Sequence, residues 1–152
     1  MVYTLVSFLG CIFGYIIARF TKEELKPGLI YFKISELVIL LILSLSFLYS
    51  SFNLILLLTG IIFGIFLRFE YLYFGLGVIS SLNFLTSALV FIYGLFYGSL
   101  IFYYKKWKNL VYSLILFFLG FLVYFLDYNI LSFAAGGLLS LFFIKFWKIF
   151  HL

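Results

Sequence analysis

Six long apolar runs set the limits on what this chain can become: Val2 to Phe20, Leu29 to Ser50, Leu54 to Phe69, Gly77 to Tyr104, Leu110 to Leu126 and Ile130 to Phe146. A hydrocarbon core of about 30 Å takes about 20 apolar residues of helix to cross, so each run meets or approaches the length of one span. The runs are continuously apolar rather than alternating, which argues against a membrane β-barrel. Helices then satisfy the backbone inside lipid. The expected fold is therefore all-α: a polytopic transmembrane helical bundle of about six spans, forming one domain over residues 1–152. The third and fifth runs are short, which leaves a bent or re-entrant segment as an alternative there.

Composition excludes a soluble fold. Hydrophobic residues make up 67% of the chain and charged residues 10%, with a mean hydropathy of +1.31, whereas a soluble domain carries roughly 25% charged residues. The formal charge of +5 comes from basic residues clumped at run ends. That placement suits anionic lipid headgroups better than nucleic acid. The expected partners are thus the lipid bilayer and a second copy or other membrane subunits, with no nucleic acid. Val2 to Phe20 lacks a basic leader and a small-residue cleavage pattern, so it reads as a retained span. Richness in Phe, Ile, Tyr and Lys suggests an AT-rich, prokaryotic source, hence a multi-pass protein of a prokaryotic cell membrane.

The breaks between runs carry helix punctuation. Pro27 suits the first turn of a helix, and Asn53, Asn109 and Asn129 each precede an apolar run as N-caps do. Trp107, Trp147, Tyr103 and Tyr104 fall near run ends, where amphipathic rings prefer the headgroup level.

An internal correspondence runs through the chain. At an offset of 84, Gly10 meets Gly94, Gly14 meets Gly98 and Lys22 meets Lys106; at an offset of 76, Asn53 meets Asn129 and Gly60 meets Gly136. Residues 2–76 and 77–152 then read as two units of three spans. An odd span number forces the second unit to be inverted relative to the first, and places both ends of the chain on one side. In that six-span arrangement Arg19, Lys22, Lys26, Lys33 and Arg68 oppose Lys105, Lys106, Lys108, Lys145 and Lys148, a balance that an inverted repeat produces naturally.

Small residues at helical spacing mark helix-packing faces at Gly10, Gly14, Gly60, Gly64, Gly94, Gly98 and Gly136, since close backbone approach holds membrane helices together. The sharpest chemical candidate is Glu36, seven residues into its run, with Lys33 three residues earlier on the same face as its expected partner. An acid at that depth is either ion-paired or a proton or cation site. Ser80, Asn83, Thr86 and Ser87 form a polar stripe along the fourth run that would complete an intramembrane site.

Catalysis finds no support. The chain has one His, His151, and one Asp, Asp127, and no zinc-protease, nucleophile-elbow or phosphate-loop motif occurs. Cys11 lies alone inside an apolar run, which rules out an intrachain disulfide and a Cys-based zinc site. The chain is expected not to be an enzyme, with no catalytic, cofactor-binding or metal residues and no cofactor. Two functions remain: a channel or secondary transporter for a small solute or ion, favoured by the repeat, Glu36 and the polar stripe, and a non-catalytic structural or assembly subunit of a larger membrane complex, favoured by the small-residue faces, the absence of a sizeable soluble domain and the lack of a convergent polar cluster.

Overall fold

A computed structural model describes residues 2–48, 53–67, 69–126 and 130–150. These form seven α-helices and, among the described residues, no strand: α1 (Val2–Phe20), α2 (Lys22–Leu48), α3 (Leu54–Leu67), α4 (Phe69–Ser80), α5 (Phe84–Tyr103), α6 (Trp107–Leu126) and α7 (Ile130–Phe150). Three segments, Lys22–Ser46, Phe84–Tyr103 and Ile130–Ile149, are long and apolar enough to cross a membrane, and Val6–Phe20, Leu54–Leu67 and Lys108–Tyr124 are shorter apolar helices. A membrane location fits this bundle; the count of six spans does not emerge from it.

Local chemistry explains the boundaries. The segment Thr21 to Gly28, expected as a connection, is folded into α2, which begins at Lys22 with Glu23 and Glu24 in its first turn. Acids there complement the positive end of the helix dipole, and Pro27 consequently lies inside the helix rather than in its first turn. Asn53 does cap α3, its side-chain oxygen accepting from the amides of Ile55 and Leu56 at 3.1 and 3.4 Å. Asn109 lies inside α6, which already starts at Trp107, rather than at its N-cap position. Asn129 lies outside the described residues.

The largest departure is the fourth run. A continuous helix from Gly77 to Tyr104 would be about 42 Å long at 1.5 Å per residue, well beyond the core thickness. The chain breaks it after Ser80. Asn83 is extended and caps α5 through a reciprocal capping box with Thr86. Residues 70–76, expected as a loop, instead belong to α4.

Side-chain and backbone contacts fix the direction of each helix. Tyr3 packs its ring on Phe84 at 5.2 Å and Tyr15 packs on Phe102 at 5.3 Å, so α1 and α5 run the same way. The Asn53 amide donates to the Ser132 hydroxyl at 3.0 Å, and Gly64 lies against Gly137 and Ser140, so α3 and α7 also run the same way. The helix α4 runs opposite to α1, with Tyr73 beside Cys11 and Ser80 beside Thr4. Hence α3 sets out from the end where α1 begins, and α4 returns to it.

That return corrects the inverted repeat. Helices matched at offsets 84 and 76 pack side by side and parallel, whereas an axis in the membrane plane would make them antiparallel. With α4 inserted, α5 leaves from the same end as α1, and the start of α1 and the end of α7 lie at opposite ends of the bundle rather than on one side.

Glycines make these parallel contacts close. A Cβ on Gly10 or Gly14 would collide with the carbonyl of Phe91 or Leu95 on α5, and one on Gly94 or Gly98 would collide with the backbone of α1 at Cys11. Gly60 and Gly136 stand in the same relation between α3 and α7, joined by Gly64. A third glycine crossing, Gly77 of α4 on Phe117 and Gly120 of α6 on Phe74, was not among the expected packing positions. Around these crossings a core forms from Leu40 and Leu43 of α2, Leu76 and Ile79 of α4, Tyr93 of α5, Phe117 of α6 and Leu138 of α7, together with their neighbours.

The charge distribution changes with the topology. Arg19 ends α1, Lys22, Lys26 and Lys33 lie in the first half of α2, Lys105 and Lys106 follow α5, Lys108 opens α6, and Lys145 and Lys148 close α7. All nine gather at one end, here the basic end; Arg68, the tenth, lies outside the described residues. The expected five-to-five balance therefore gives way to a strong bias. In a Cys11→Ala background, single cysteines at Thr21 and Lys106 are expected to react with an impermeant maleimide from the same side, and one at Ser81 from the other. An inverted six-span chain predicts opposite sides for Thr21 and Lys106, so labelling from opposite sides would overturn the parallel arrangement.

Candidate functional site

Three apolar stripes converge toward the basic end, and each terminates in a polar residue. On α2, Glu36 precedes Leu40 and Leu43 on the buried face; on α7, Lys145 follows Leu138 and Leu141; on α5, Tyr93 and Tyr97 lie one turn apart. The packing of α2 against both α5 and α7 brings the three stripes together.

Glu36 is buried, at 5% exposure, and Tyr93 is completely enclosed. The Tyr93 hydroxyl donates to Glu36 Oε1 at 2.6 Å. The Lys145 ammonium is ion-paired with the same oxygen and donates to the Tyr93 hydroxyl at 3.0 Å. It also lies 5.6 Å from the centre of the Tyr93 ring and 5.2 Å from that of Tyr97. These two rings are stacked at 6.0 Å. Lys145 is therefore held by a carboxylate, a phenol and two aromatic faces, each attractive to a cation.

A pocket of about 430 Å³ opens over this cluster, lined by Lys33, Glu36, Tyr97, Lys106, Asn109, Lys145 and Lys148 among others. Glu36 is the one acid among the lining residues and is already paired. Lys33, Lys106 and Lys148 have no acid beside them in the wall, so the pocket carries a positive potential that its low-dielectric surroundings concentrate. Beneath it, a line of buried groups leads inward: Tyr73 meets Tyr97 edge-on at 5.3 Å, and its hydroxyl is 3.9 Å from the Cys11 sulfur. Among the described residues, no three His, Cys, Asp or Glu side chains come together to hold a metal.

The six residues expected to form one polar site separate into two groups. Lys33 shares the pocket with Glu36, but the carboxylate pairs with Lys145 instead. Ser80, Asn83, Thr86 and Ser87 lie at the opposite end and serve the break between α4 and α5. Ser87 donates to the Ser80 carbonyl at 2.5 Å, Ser80 donates to the Gly77 carbonyl at 3.0 Å, and Asn83 and Thr86 close the capping box. Their polar atoms satisfy backbone groups left over where a helix ends, so they do not complete the Glu36 site.

Lys145, Tyr93, Tyr97, Lys106 and Lys148 were not anticipated as site residues. Lys145 and Lys148 read from the sequence as the basic close of the last run. Tyr93 and Tyr97 carry a usable signal, hydroxyls one helical turn apart beside Gly94 and Gly98, but it is diluted among 13 tyrosines. The chain matches no protein family, no curated protein and no solved structure.

Proposed function

We propose that this chain is a multi-pass membrane protein acting as a secondary transporter for a small anion of the phosphate, sulfate or carboxylate class, drawn open toward the basic end. The observation that carries this reading is the buried Glu36–Lys145 pair at the floor of a lysine-rimmed pocket. An arriving anion is attracted by Lys33, Lys106 and Lys148 and competes with Glu36 for the Lys145 ammonium. Because Glu36 belongs to α2 and Lys145 to α7, that competition loosens a contact between two helices, which is where a change of access would begin.

In the same reading α1, α2, α5, α6 and α7 cross the membrane. The pair α3 and α4, of 14 and 12 residues, is short for a crossing and enters and leaves at one end. The concentration of lysines at one end supports a cytoplasmic basic end in a prokaryotic cell.

The test is uptake by purified protein in liposomes, with labelled inorganic phosphate, sulfate and succinate as probes. At least one is expected to accumulate above empty vesicles, and Lys106→Gln with Lys148→Gln, two exposed rim positions, to slow that uptake about tenfold by removing the attracting field. Uptake indistinguishable from empty vesicles for all three, or unchanged by the double substitution, overturns the transport reading. The glycine-packed parallel helix pairs then favour a structural subunit of a larger membrane complex.

A further inference from the structure

On the other side of α5 lies a second basic cavity. It measures about 360 Å³ and is lined by Tyr15 of α1, Lys22 and Leu25 of α2, Phe102 and Tyr103 of α5, and Lys105. We propose that it binds the phosphate group of an anionic phospholipid, with Lys22 and Lys105 as its two cationic partners. This site is independent of the proposed transport pocket, with which it shares no lining residue.

Four observations carry the assignment. The two lysines come from different elements yet border one cavity whose lining holds no acid, although Glu23 and Glu24 follow Lys22 in the chain. The other walls are aromatic and aliphatic: Phe102 takes the Tyr15 ring edge-on at 5.3 Å and the Lys22 ammonium at 5.9 Å, while Leu25 is buried. Cations beside tyrosine and phenylalanine at the end of a membrane helix match the level of lipid headgroups, with apolar surface below for the first acyl carbons.

The fourth observation is conformational. Lys105 has φ of 55° and is the non-glycine residue with positive φ among the described residues. It occupies the left-handed position that terminates α5, with its own amide bonded to the Phe102 carbonyl and the Lys106 amide to the Ile101 carbonyl, each at 3.0 Å. Glycine fills such a position without penalty, and a lysine there gives up stability. A side chain kept at that cost, bordering a cavity with a second lysine, points to use of its charge. A phosphate oxyanion from a diester headgroup or from free phosphate satisfies both lysines; the aromatic and aliphatic walls select the lipid.

The experiment measures thermal unfolding of the full chain in neutral detergent, alone and with phosphatidylglycerol, phosphatidylcholine or inorganic phosphate. Phosphatidylglycerol is expected to raise Tm by about 3 °C or more, through binding to the folded state alone, and phosphatidylcholine to leave it unchanged; any shift by inorganic phosphate is expected to come from the transport pocket, persisting in Lys22→Gln and disappearing in Lys106→Gln with Lys148→Gln. Lys105→Gly provides the separating variant. It is expected to raise Tm without lipid, by relieving the left-handed strain, and to lose the response to phosphatidylglycerol; Lys22→Gln is expected to lose the response with Tm unchanged. Lys106→Gln with Lys148→Gln is expected to keep the response, which separates this site from the transport pocket. No response of the parental chain to phosphatidylglycerol, a parental response in both Lys105→Gly and Lys22→Gln, or a stabilisation by inorganic phosphate that Lys22→Gln abolishes, overturns the proposal.

Discussion

Replacing Gly94 with leucine is expected to abolish the folded protein, while Gly28→Ala leaves it intact. A Cβ at Gly94 would sit 2.7 Å from the Cys11 amide nitrogen and 3.0 Å from the Gly10 carbonyl carbon. Both obstacles are backbone of α1, so no rotamer change can clear them. The helix would have to move bodily, and moving it also breaks the reciprocal contacts of Gly10 and Gly14 on α5. Overfilling a packed interior costs about 1–3 kcal/mol and occasionally more, and a backbone obstacle shared by four glycines belongs at the upper end. In lipid no hydrophobic term remains to hold displaced helices together, because the surrounding tails are as apolar as the helix faces. At Gly28 the nearest atom is the end of the Phe32 side chain at 3.2 Å, which can swing aside. Size-exclusion profiles in detergent would check the pair: a monodisperse Gly94→Leu protein with the parental Tm would show that the α1–α5 crossing is not what holds the fold.

The same glycines show how far the sequence could be read. Gly10, Gly14, Gly94 and Gly98 lie at the α1–α5 crossing, and Gly60, Gly64 and Gly136 at the α3–α7 crossing. Small residues at helical spacing on an apolar run are thus legible as close-packing faces. What the spacing does not encode is direction. That depends on the number of helices between matched runs, and the count fails at one place, where Phe69–Ser80 is divided among the third run, a connection and the fourth run. Apolarity hides a helix break whose leftover polar groups are satisfied by short side chains, here Ser80, Asn83, Thr86 and Ser87. Two signals were available: a run too long for one crossing, and Asn83 inside that run, a residue type that favours helix starts. With α4 recognised, the basic residues among the described ones move from an even split to one end.

For the site, chemistry was legible and partnership was not. Glu36 declares itself as the acid inside an apolar run. Its ion-pair partner is 109 residues away in the chain, and no feature of continuously apolar runs says which run packs beside which. Lys33 was the natural choice because helical periodicity sees neighbours within one element; tertiary packing of α2 on α7 supplied a different cation.

Lys145→Met tests that partnership directly and is expected to destabilise the fold by about 3–5 kcal/mol, the range for stripping one partner from a buried ion pair. The sign follows from what remains. Glu36, at 5% exposure, would keep the Tyr93 hydroxyl and lose its charge partner, and a desolvated carboxylate with one hydrogen bond is expensive. Lys145 is itself about a quarter exposed, so water partly screens the pair and the lower end of that range applies. Adding Glu36→Gln to Lys145→Met removes the orphaned charge while keeping a group that accepts from Tyr93. The double variant is therefore expected to recover most of the loss, although it has fewer native interactions than the single one. Equilibrium unfolding of the parent, the two single variants and the double variant forms a thermodynamic cycle. A coupling of about 2 kcal/mol or more marks a direct pair. If the double variant is as unstable as Lys145→Met alone, Glu36 is solvated when unpaired, and the buried carboxylate on which the proposed transport site rests is lost.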